Sequence, residues 1–230
     1  MIDQFETSGW VYSAIQPTRV THRQPILLTL AVDTSYSMSR RLHVCRAAVE
    51  ALIRGIAEGG EGHQVLLRVL TFADSAQEYQ GFLPITHLLE RDYTFHPGGG
   101  TALIDVTVNA LKATADYGSR LGGTGRRVAA ALLVVTDGED TTSKRRDPTT
   151  IARVLAQARA KETLSRLETW LVGIGTNNPH LAIGLERFAA EGDFDEFLYG
   201  EALTVGNIAQ LAHRLLERVR PPLDVALGDA

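Results

Sequence analysis

Cysteine is nearly missing from this sequence, since Cys45 is the only one among 230 residues. A single thiol excludes an intramolecular disulfide framework and a cysteine-rich zinc site. Long apolar runs are missing too. The longest run, Val128 to Val135, is far shorter than the roughly 20 residues that a membrane-spanning helix needs. We therefore expect no insertion into a membrane, and we interpret Cys45 as a buried structural thiol.

The sequence also has no excess of positive charge. Lysine and arginine together number 23, against 27 aspartate and glutamate residues, which gives a formal net charge of −4. This balance argues against a nucleic-acid binder that works through a generally basic surface. The opening segment does not pair a basic region with an apolar run, so the sequence predicts no secretory signal and a cytoplasmic location.

Apolar runs that are typical of buried strands alternate along the chain with segments of helical periodicity. Such alternation predicts an α/β fold, with a doubly wound, mostly parallel central sheet and helices on both faces. Glu78 to Leu83 is expected to add one antiparallel edge strand. The buried strands are predicted at Ile26 to Val32, Val65 to Phe72, Val128 to Thr136, Thr169 to Gly175 and Phe194 to Tyr199.

The predicted domain occupies residues 25–219, because no linker or internal repeat divides it. Residues 1–24 form an N-terminal extension, in which the weak alternation of Trp10 to Ile15 favours an additional edge strand. Pro221 and Pro222 end the last predicted helix, Val205 to Val219. Residues 220–230 are therefore predicted to be a C-terminal tail of low order.

Polar side chains stand where predicted strands end or helices begin. Asp33, Ser35 and Ser37 follow the first buried strand, Thr101 follows a run of three glycines, and Asp137 follows the strand that ends at Thr136. Ligands of open α/β sheets bind beyond the carboxyl ends of the strands. All five candidates are oxygen donors, which suits a hard cation. Two carboxylates make a poor cage for Ca²⁺, so the sequence predicts Mg²⁺, with Mn²⁺ as a substitute.

The motif Asp33-x-Ser35-x-Ser37, together with the distant Thr101 and Asp137, resembles the metal-ion-dependent adhesion site of von Willebrand factor A domains. The resemblance extends over most of the chain, roughly Pro25 to Val219, and includes the order of strands and helices. It implies that the three hydroxyls contact the metal directly or exchange with water. It also implies that the two aspartates act directly or through bridging waters, and that an acidic residue of a partner completes the coordination shell.

The function that this resemblance implies is a metal-dependent protein-binding module with no catalytic activity of its own. Intracellular relatives in the family often serve as adaptors to AAA+ ATPases of the MoxR or chelatase type. Others operate in stress and tellurite-resistance systems. The expected partner is thus a protein that presents an aspartate or glutamate, with an AAA+ ATPase as one candidate.

Simpler interpretations of the same residues stay open. Ser37 or Ser39, and likewise Thr101, are also typical helix N-caps. The run Gly98 to Gly100 is typical of a flexible turn, and the pair Asp137-Gly138 is typical of a turn. The competing function is a Mg²⁺-dependent phosphatase or hydrolase on a similar sheet. Haloacid-dehalogenase-like enzymes need a second aspartate two residues after the first, and this chain has Ser35 at that position.

Basic residues follow two of these motifs and are expected to lie on the same rim. They are either solvated loop charges or a rim that steers an acidic partner toward the metal. The residues concerned are Arg40, Arg41, Lys144, Arg145 and Arg146.

Overall fold

The computed structural model describes residues 2–7, 9–59, 62–174, 178–200 and 205–220. Within these ranges the chain forms eight strands and five α-helices. The strands are β1 (Ile2–Thr7), β2 (Trp10–Ile15), β3 (Ile26–Asp33), β4 (Val65–Phe72), β5 (Ala76–Pro84), β6 (Val128–Thr136), β7 (Leu164–Ile174) and β8 (Glu196–Gly200). The helices are α1 (Leu42–Glu58), α2 (Leu103–Gly122), α3 (Thr149–Arg159), α4 (Pro179–Glu191) and α5 (Val205–Val219).

The strands form one sheet in the order β1-β2-β5-β4-β3-β6-β7-β8. Strands β4, β3, β6, β7 and β8 are all parallel to one another, whereas β5 runs antiparallel to β4. This confirms the predicted α/β fold with a mostly parallel sheet and an antiparallel strand at β5. Strands β1 and β2 form an antiparallel hairpin that extends the sheet beyond β5, which it meets through the pair Ala14 and Phe82.

Both faces of the sheet are covered, and β3 shows why its sequence is almost continuously apolar. Leu28 and Leu30 pack on one face, in the core cluster that contains residues of α1 and α5. Leu27 and Ala31 pack on the other face, in the cluster formed with α2, α3 and α4. A strand that is buried on both sides has no polar face, so its sequence is a continuous apolar run instead of an alternation of apolar and polar residues. Cys45 is buried in the first cluster, as predicted.

The N-terminal hairpin is joined to the domain by a buried cation. Arg68 on β4 is fully buried, and its Nε donates to Glu78 Oε2 at 2.6 Å. Glu78 also accepts a hydrogen bond from the backbone nitrogen of Ser13, at 2.9 Å. The guanidinium lies 5.8 Å from the ring of Tyr12 and 5.9 Å from the ring of Phe82. Since an isolated hairpin is only marginally stable in water, these contacts help to hold β1 and β2 in the sheet, together with the hydrogen bond from Tyr117 on α2 to the carbonyl of Ile15.

Strands β3, β5 and β8 differ from their predicted bounds by one or two residues, and two other boundaries differ in ways that bear on the core and the site. Strand β7 begins at Leu164 instead of Thr169, because Leu164 and Leu167 already pack into the core upstream of the continuous apolar run. Helix α2 begins at Leu103 instead of Thr101. The predicted end of β7 at Gly175 and the tail after residue 220 lie outside the described residues. Across the described ranges, no helix is both long and apolar enough to cross a membrane.

Candidate metal centre

Asp33 is the last residue of β3, and its carboxylate is held by two hydrogen bonds. The backbone nitrogen of Ser35 donates to Oδ1 at 2.7 Å, and the Thr136 hydroxyl at the end of β6 donates to Oδ2 at 2.5 Å. Its exposed fraction is 0%. Burial raises the pKa of Asp33 above its ordinary value, the hydrogen bonds from Thr136 and Ser35 act in the opposite direction, and nearby Asp137 raises it further.

The two serine hydroxyls connect Asp33 to Asp137. The oxygens of Ser35 and Ser37 lie 3.0 Å apart, and the Ser37 hydroxyl donates to Asp137 Oδ1 at 2.6 Å. Met38 in the same loop is fully buried and its backbone nitrogen donates to the carbonyl of Ser35, which anchors the turn. Ser35 therefore bridges the two carboxylates, since its backbone nitrogen donates to Asp33 and its hydroxyl contacts the serine that donates to Asp137.

The glycine run forms a turn that hydrogen bonds tie to two neighbouring loops. The nitrogen of Gly98 donates to the carbonyl of Thr34 at 2.8 Å, and the nitrogen of Gly100 donates to Asp74 Oδ1 at 2.8 Å. Gly99 has a φ of +68°, and a Cβ there would overlap the Asp74 carboxylate. Glycine is required at this position because other residues rarely adopt this conformation and would not fit.

Thr101 follows this turn and lies beside the end of β6. A Cβ placed on Gly138 would lie 3.8 Å from Thr101 Oγ1 and 3.9 Å from Ser37 Oγ, so both hydroxyls adjoin the same glycine. The backbone of Thr101 is fixed by Thr141, whose hydroxyl accepts its N–H at 2.8 Å and whose N–H donates to its carbonyl at 2.8 Å.

The structure rejects the interpretation of Thr101 as a helix cap. The N-cap residue of α2 is Ala102, which makes no side-chain cap bond. Instead, Asp140 Oδ1 accepts the N–H of Ile104 at 3.0 Å, and the Ser143 hydroxyl accepts the N–H of Asp105 at 3.0 Å. Within the described part of the chain, the Thr101 hydroxyl makes no hydrogen bond. Its oxygen is therefore available as a ligand.

Asp137 is 5% exposed, and both of its oxygens have partners. In addition to Ser37 at Oδ1, Arg41 Nη1 donates to Oδ2 at 2.5 Å. Arg41 was expected among the basic residues of the rim. Arg145 was expected there too, but its guanidinium pairs with Asp105. The rim is thus less basic than predicted, and its exposed cations in the described residues are Arg40, Lys144 and Arg146.

All five predicted site residues meet at one edge of the sheet: Asp33, Ser35, Ser37 and Asp137 through hydrogen bonds, and Thr101 through its position beside Gly138. Two supporting residues, Asp74 and Thr136, were missed by sequence reasoning, and Arg41 was expected on the rim but not as the partner of Asp137. Thr136 could have been found from its position at the end of a buried strand. Asp74 carries no comparable signal, because its contact with the glycine turn arises only from the packing of two loops.

The donor set fits a hard divalent cation. It contains oxygen atoms alone, and each carboxylate oxygen that accepts one hydrogen bond retains a second lone pair. No group of three or more His, Cys, Asp or Glu side chains able to share an ion occurs in the residues that the structure describes. An ion at this edge would therefore be bound by serine and threonine hydroxyls as much as by carboxylates.

The sheet order and the paired helical layers are those of the Rossmann-like fold of von Willebrand factor A domains. A similar structure is the vWF domain of the type V pili tip protein Mfa5 from Porphyromonas gingivalis, with 12% sequence identity and a TM-score of 0.57. The match covers 87% of this chain and 98% of that one. BatB from Bacteroides thetaiotaomicron is 16% identical with a TM-score of 0.54, over 84% of this chain and 99% of that chain.

The PilB minor pilin from Streptococcus sanguinis is 15% identical, with a TM-score of 0.57 over 86% of this chain. Only 62% of the pilin is covered, so this chain corresponds to a part of that protein. No protein-family model and no curated protein matches the sequence. At these identities the likeness shows the fold, and the function depends on the residues of the site.

Because the pKa of Asp33 is raised, we expect Asp33→Asn to increase the free energy of unfolding in EDTA, by an amount that depends on pH. Because the folded pKa lies above the unfolded one, the stability contributed by Asp33 is complete below the unfolded pKa and is lost as pH rises through the folded pKa. Asn keeps the size without the charge; its Oδ1 can accept from the backbone nitrogen of Ser35, and its Nδ2 would donate to the Thr136 hydroxyl, which can itself donate to the carbonyl of Gly138. The variant should therefore have a higher free energy of unfolding than wild type at pH 7, with the difference vanishing below about pH 4.

Urea denaturation across this pH range is the measurement, and Asp147→Asn is the control of opposite sign. Hydrogen bonds from Thr149 hold the pKa of Asp147 below its ordinary value, so its charge stabilises the fold above the unfolded pKa. Asp147→Asn should show no gain at pH 7. An Asp33→Asn protein less stable than wild type at pH 7 would contradict the assignment of burial as the dominant effect.

Proposed function

We propose that the protein is a metal-dependent protein-binding module without catalytic activity, in which bound Mg²⁺ binds a carboxylate of a partner protein. The observation that carries this proposal is the meeting of two buried carboxylates and three hydroxyls at the carboxyl edge of the sheet. Like charges this close disfavour joint ionisation unless a cation lies between them. A divalent ion supplies that charge, and Mn²⁺ would substitute for Mg²⁺.

The proposed ligands are Asp33, Ser35, Ser37, Thr101 and Asp137. With this donor set, Mg²⁺ keeps part of its octahedral shell for water or an external oxygen. The chemistry that the ion supplies is attraction of an anionic oxygen at that open position. An aspartate or glutamate of a partner has the required charge and reach.

The environment of Asp33 favours binding over hydrolysis. A nucleophilic carboxylate must reach its substrate, but Asp33 is fully buried and both of its oxygens accept hydrogen bonds. Ser35 occupies the position of the general acid in haloacid-dehalogenase-like enzymes, and its hydroxyl contacts Ser37. These contacts support the binding module over the alternative of a Mg²⁺-dependent phosphatase.

The surface around the site has features of a docking face for an acidic protein. Tyr36, between the two serines of the motif, is 70% exposed, and a large exposed aromatic side chain is typical of protein interfaces. Arg40, Lys144 and Arg146 would attract a partner with acidic groups around its bound carboxylate. We propose an AAA+ ATPase of the MoxR or chelatase type as one such partner. A cytoplasmic location also stays a prediction, because Mfa5 and PilB are pilus proteins.

Ser37→Ala is predicted to weaken Mg²⁺ binding by about tenfold or more, because it removes one proposed ligand and the hydrogen bond that orients Asp137. Ser39→Ala is the matched control, since Ser39 lies two residues further in the same loop and its hydroxyl donates to the carbonyl of Tyr36. Isothermal titration calorimetry with MgCl₂ compares the three proteins. Equal affinity in wild type and Ser37→Ala would remove the serine motif from the metal site.

Partner binding is predicted to require both the ion and the site. Immobilised wild-type protein should retain a partner protein in the presence of Mg²⁺, and addition of EDTA should release that partner. Immobilised Ser39→Ala should retain the same partner. Ser37→Ala should not retain it. Mass spectrometry of the EDTA eluates identifies the retained protein, whose binding is then measured with purified components. Retention that is identical on all three surfaces and insensitive to EDTA would show that partners use another face.

A further inference from the structure

The ion pair between Arg41 and Asp137 places a cation of the chain itself at the proposed metal site. Arg41 Nη1 lies 2.5 Å from Asp137 Oδ2 and 3.5 Å from the carbonyl oxygen of Ser37. The Ser37 hydroxyl occupies the other oxygen of the same carboxylate. The guanidinium therefore contacts two of the five residues proposed as ligands.

The position of Arg41 in the chain is unfavourable without this partner. It is the N-cap residue of α1, where it makes no side-chain cap bond, and the first turn of α1 contains no acidic residue. Helix N-termini prefer Ser, Thr, Asp or Asn, and a cation there opposes the positive end of the helix dipole. Among the described residues, the carboxylate that compensates Arg41 is Asp137. A local rule broken in this way is typical of functional positions.

The two members of the pair differ in their access to water. The side chain of Asp137 is 2% exposed, whereas that of Arg41 is 26% exposed. The guanidinium can thus move into solvent while Asp137 stays in place. A divalent ion bound through Asp137 would lie a few ångströms from the guanidinium, where repulsion in a partly buried site is strong. The two cations therefore compete for one carboxylate.

We propose that Arg41 is a tethered cation that neutralises Asp137 in the metal-free protein and lowers the affinity of the site for Mg²⁺. This inference rests on the proposed function, since it assigns a regulator to the same site. It makes two linked expectations. Removal of the guanidinium should strengthen metal binding, and the same change should destabilise the metal-free fold because Asp137 is left buried without a counter-ion.

Calorimetric titration of MgCl₂ into full-length wild type, Arg41→Gln, Arg41→Lys and Arg40→Gln tests the proposal. Arg41→Gln should bind Mg²⁺ about tenfold more tightly than wild type. Arg41→Lys, which keeps the charge, should stay near wild type. Arg40→Gln removes the same charge from the neighbouring residue, which is exposed and makes no ion pair with any described residue, and should also stay near wild type. In EDTA, thermal unfolding should show a lower Tm for Arg41→Gln than for Arg40→Gln.

The outcomes separate this inference from the proposed function. If wild type binds Mg²⁺ and Arg41→Gln binds it equally or more weakly, the competition is wrong and the metal-dependent function stands. If only Arg41→Gln binds Mg²⁺, the competition is upheld and the native protein is not a metal-dependent binder under these conditions. If neither protein binds Mg²⁺, both proposals fail. Equal tightening in Arg40→Gln and Arg41→Gln would reduce the effect to net charge and overturn the specific role of Arg41.

Discussion

Two buried carboxylates at one edge of the sheet impose the main constraint on this structure. Asp33 ends β3 and Asp137 directly follows β6, and since these strands are parallel neighbours the topology brings the two carboxylates together. Burial of two like charges costs free energy unless hydrogen bonds or a cation compensate them. Neighbouring residues compensate each carboxylate with hydrogen bonds or with a positive charge. Ser35 and Thr136 donate to Asp33, while Ser37 and Arg41 donate to Asp137.

The rest of the fold keeps these groups in place. The glycine turn is fixed to Thr34 and Asp74, and the loop after Asp137 is fixed to Thr101 and to the start of α2. These contacts position side chains from three separate segments with few degrees of freedom. A site that is fixed before it binds loses little conformational entropy on binding, which favours recognition of a small ion or a single carboxylate.

Most of the fold was predictable from the sequence, because parallel strands that are buried on both faces appear as continuous apolar runs. Strand β6 has its predicted bounds, and β3 extends one residue beyond its predicted end, to Asp33. The start of β7 was not predictable, since two consecutive exposed residues, Ser165 and Arg166, separate its first two buried leucines and break the alternation expected of a strand. Hairpin β1–β2 contacts the buried ion pair of Arg68 and Glu78. The sequence does not show that these two charged residues are buried or that they pair.

The site shows the same division. The five oxygen donors could be predicted to lie at one edge of the sheet, because they follow strands or precede helices in the sequence and the carboxyl ends of parallel strands lie together. The role of Arg41 was not accessible, since its partner is 96 positions away and local preferences place no cation at a helix N-terminus. Likewise, Thr101 is a typical N-cap in the sequence, and only the loop residues Asp140 and Ser143 show that its hydroxyl is not needed for that purpose.

The central claim is that a divalent cation neutralises the paired carboxylates in the working protein. Diffraction from crystals soaked in MnCl₂, recorded at a wavelength where manganese scatters anomalously, tests it most directly. The account predicts an anomalous peak bounded by the hydroxyls of Ser35, Ser37 and Thr101, with the Arg41 guanidinium displaced from Asp137. Saturating Mn²⁺ that leaves no peak at this edge, with Arg41 still paired to Asp137, would contradict it.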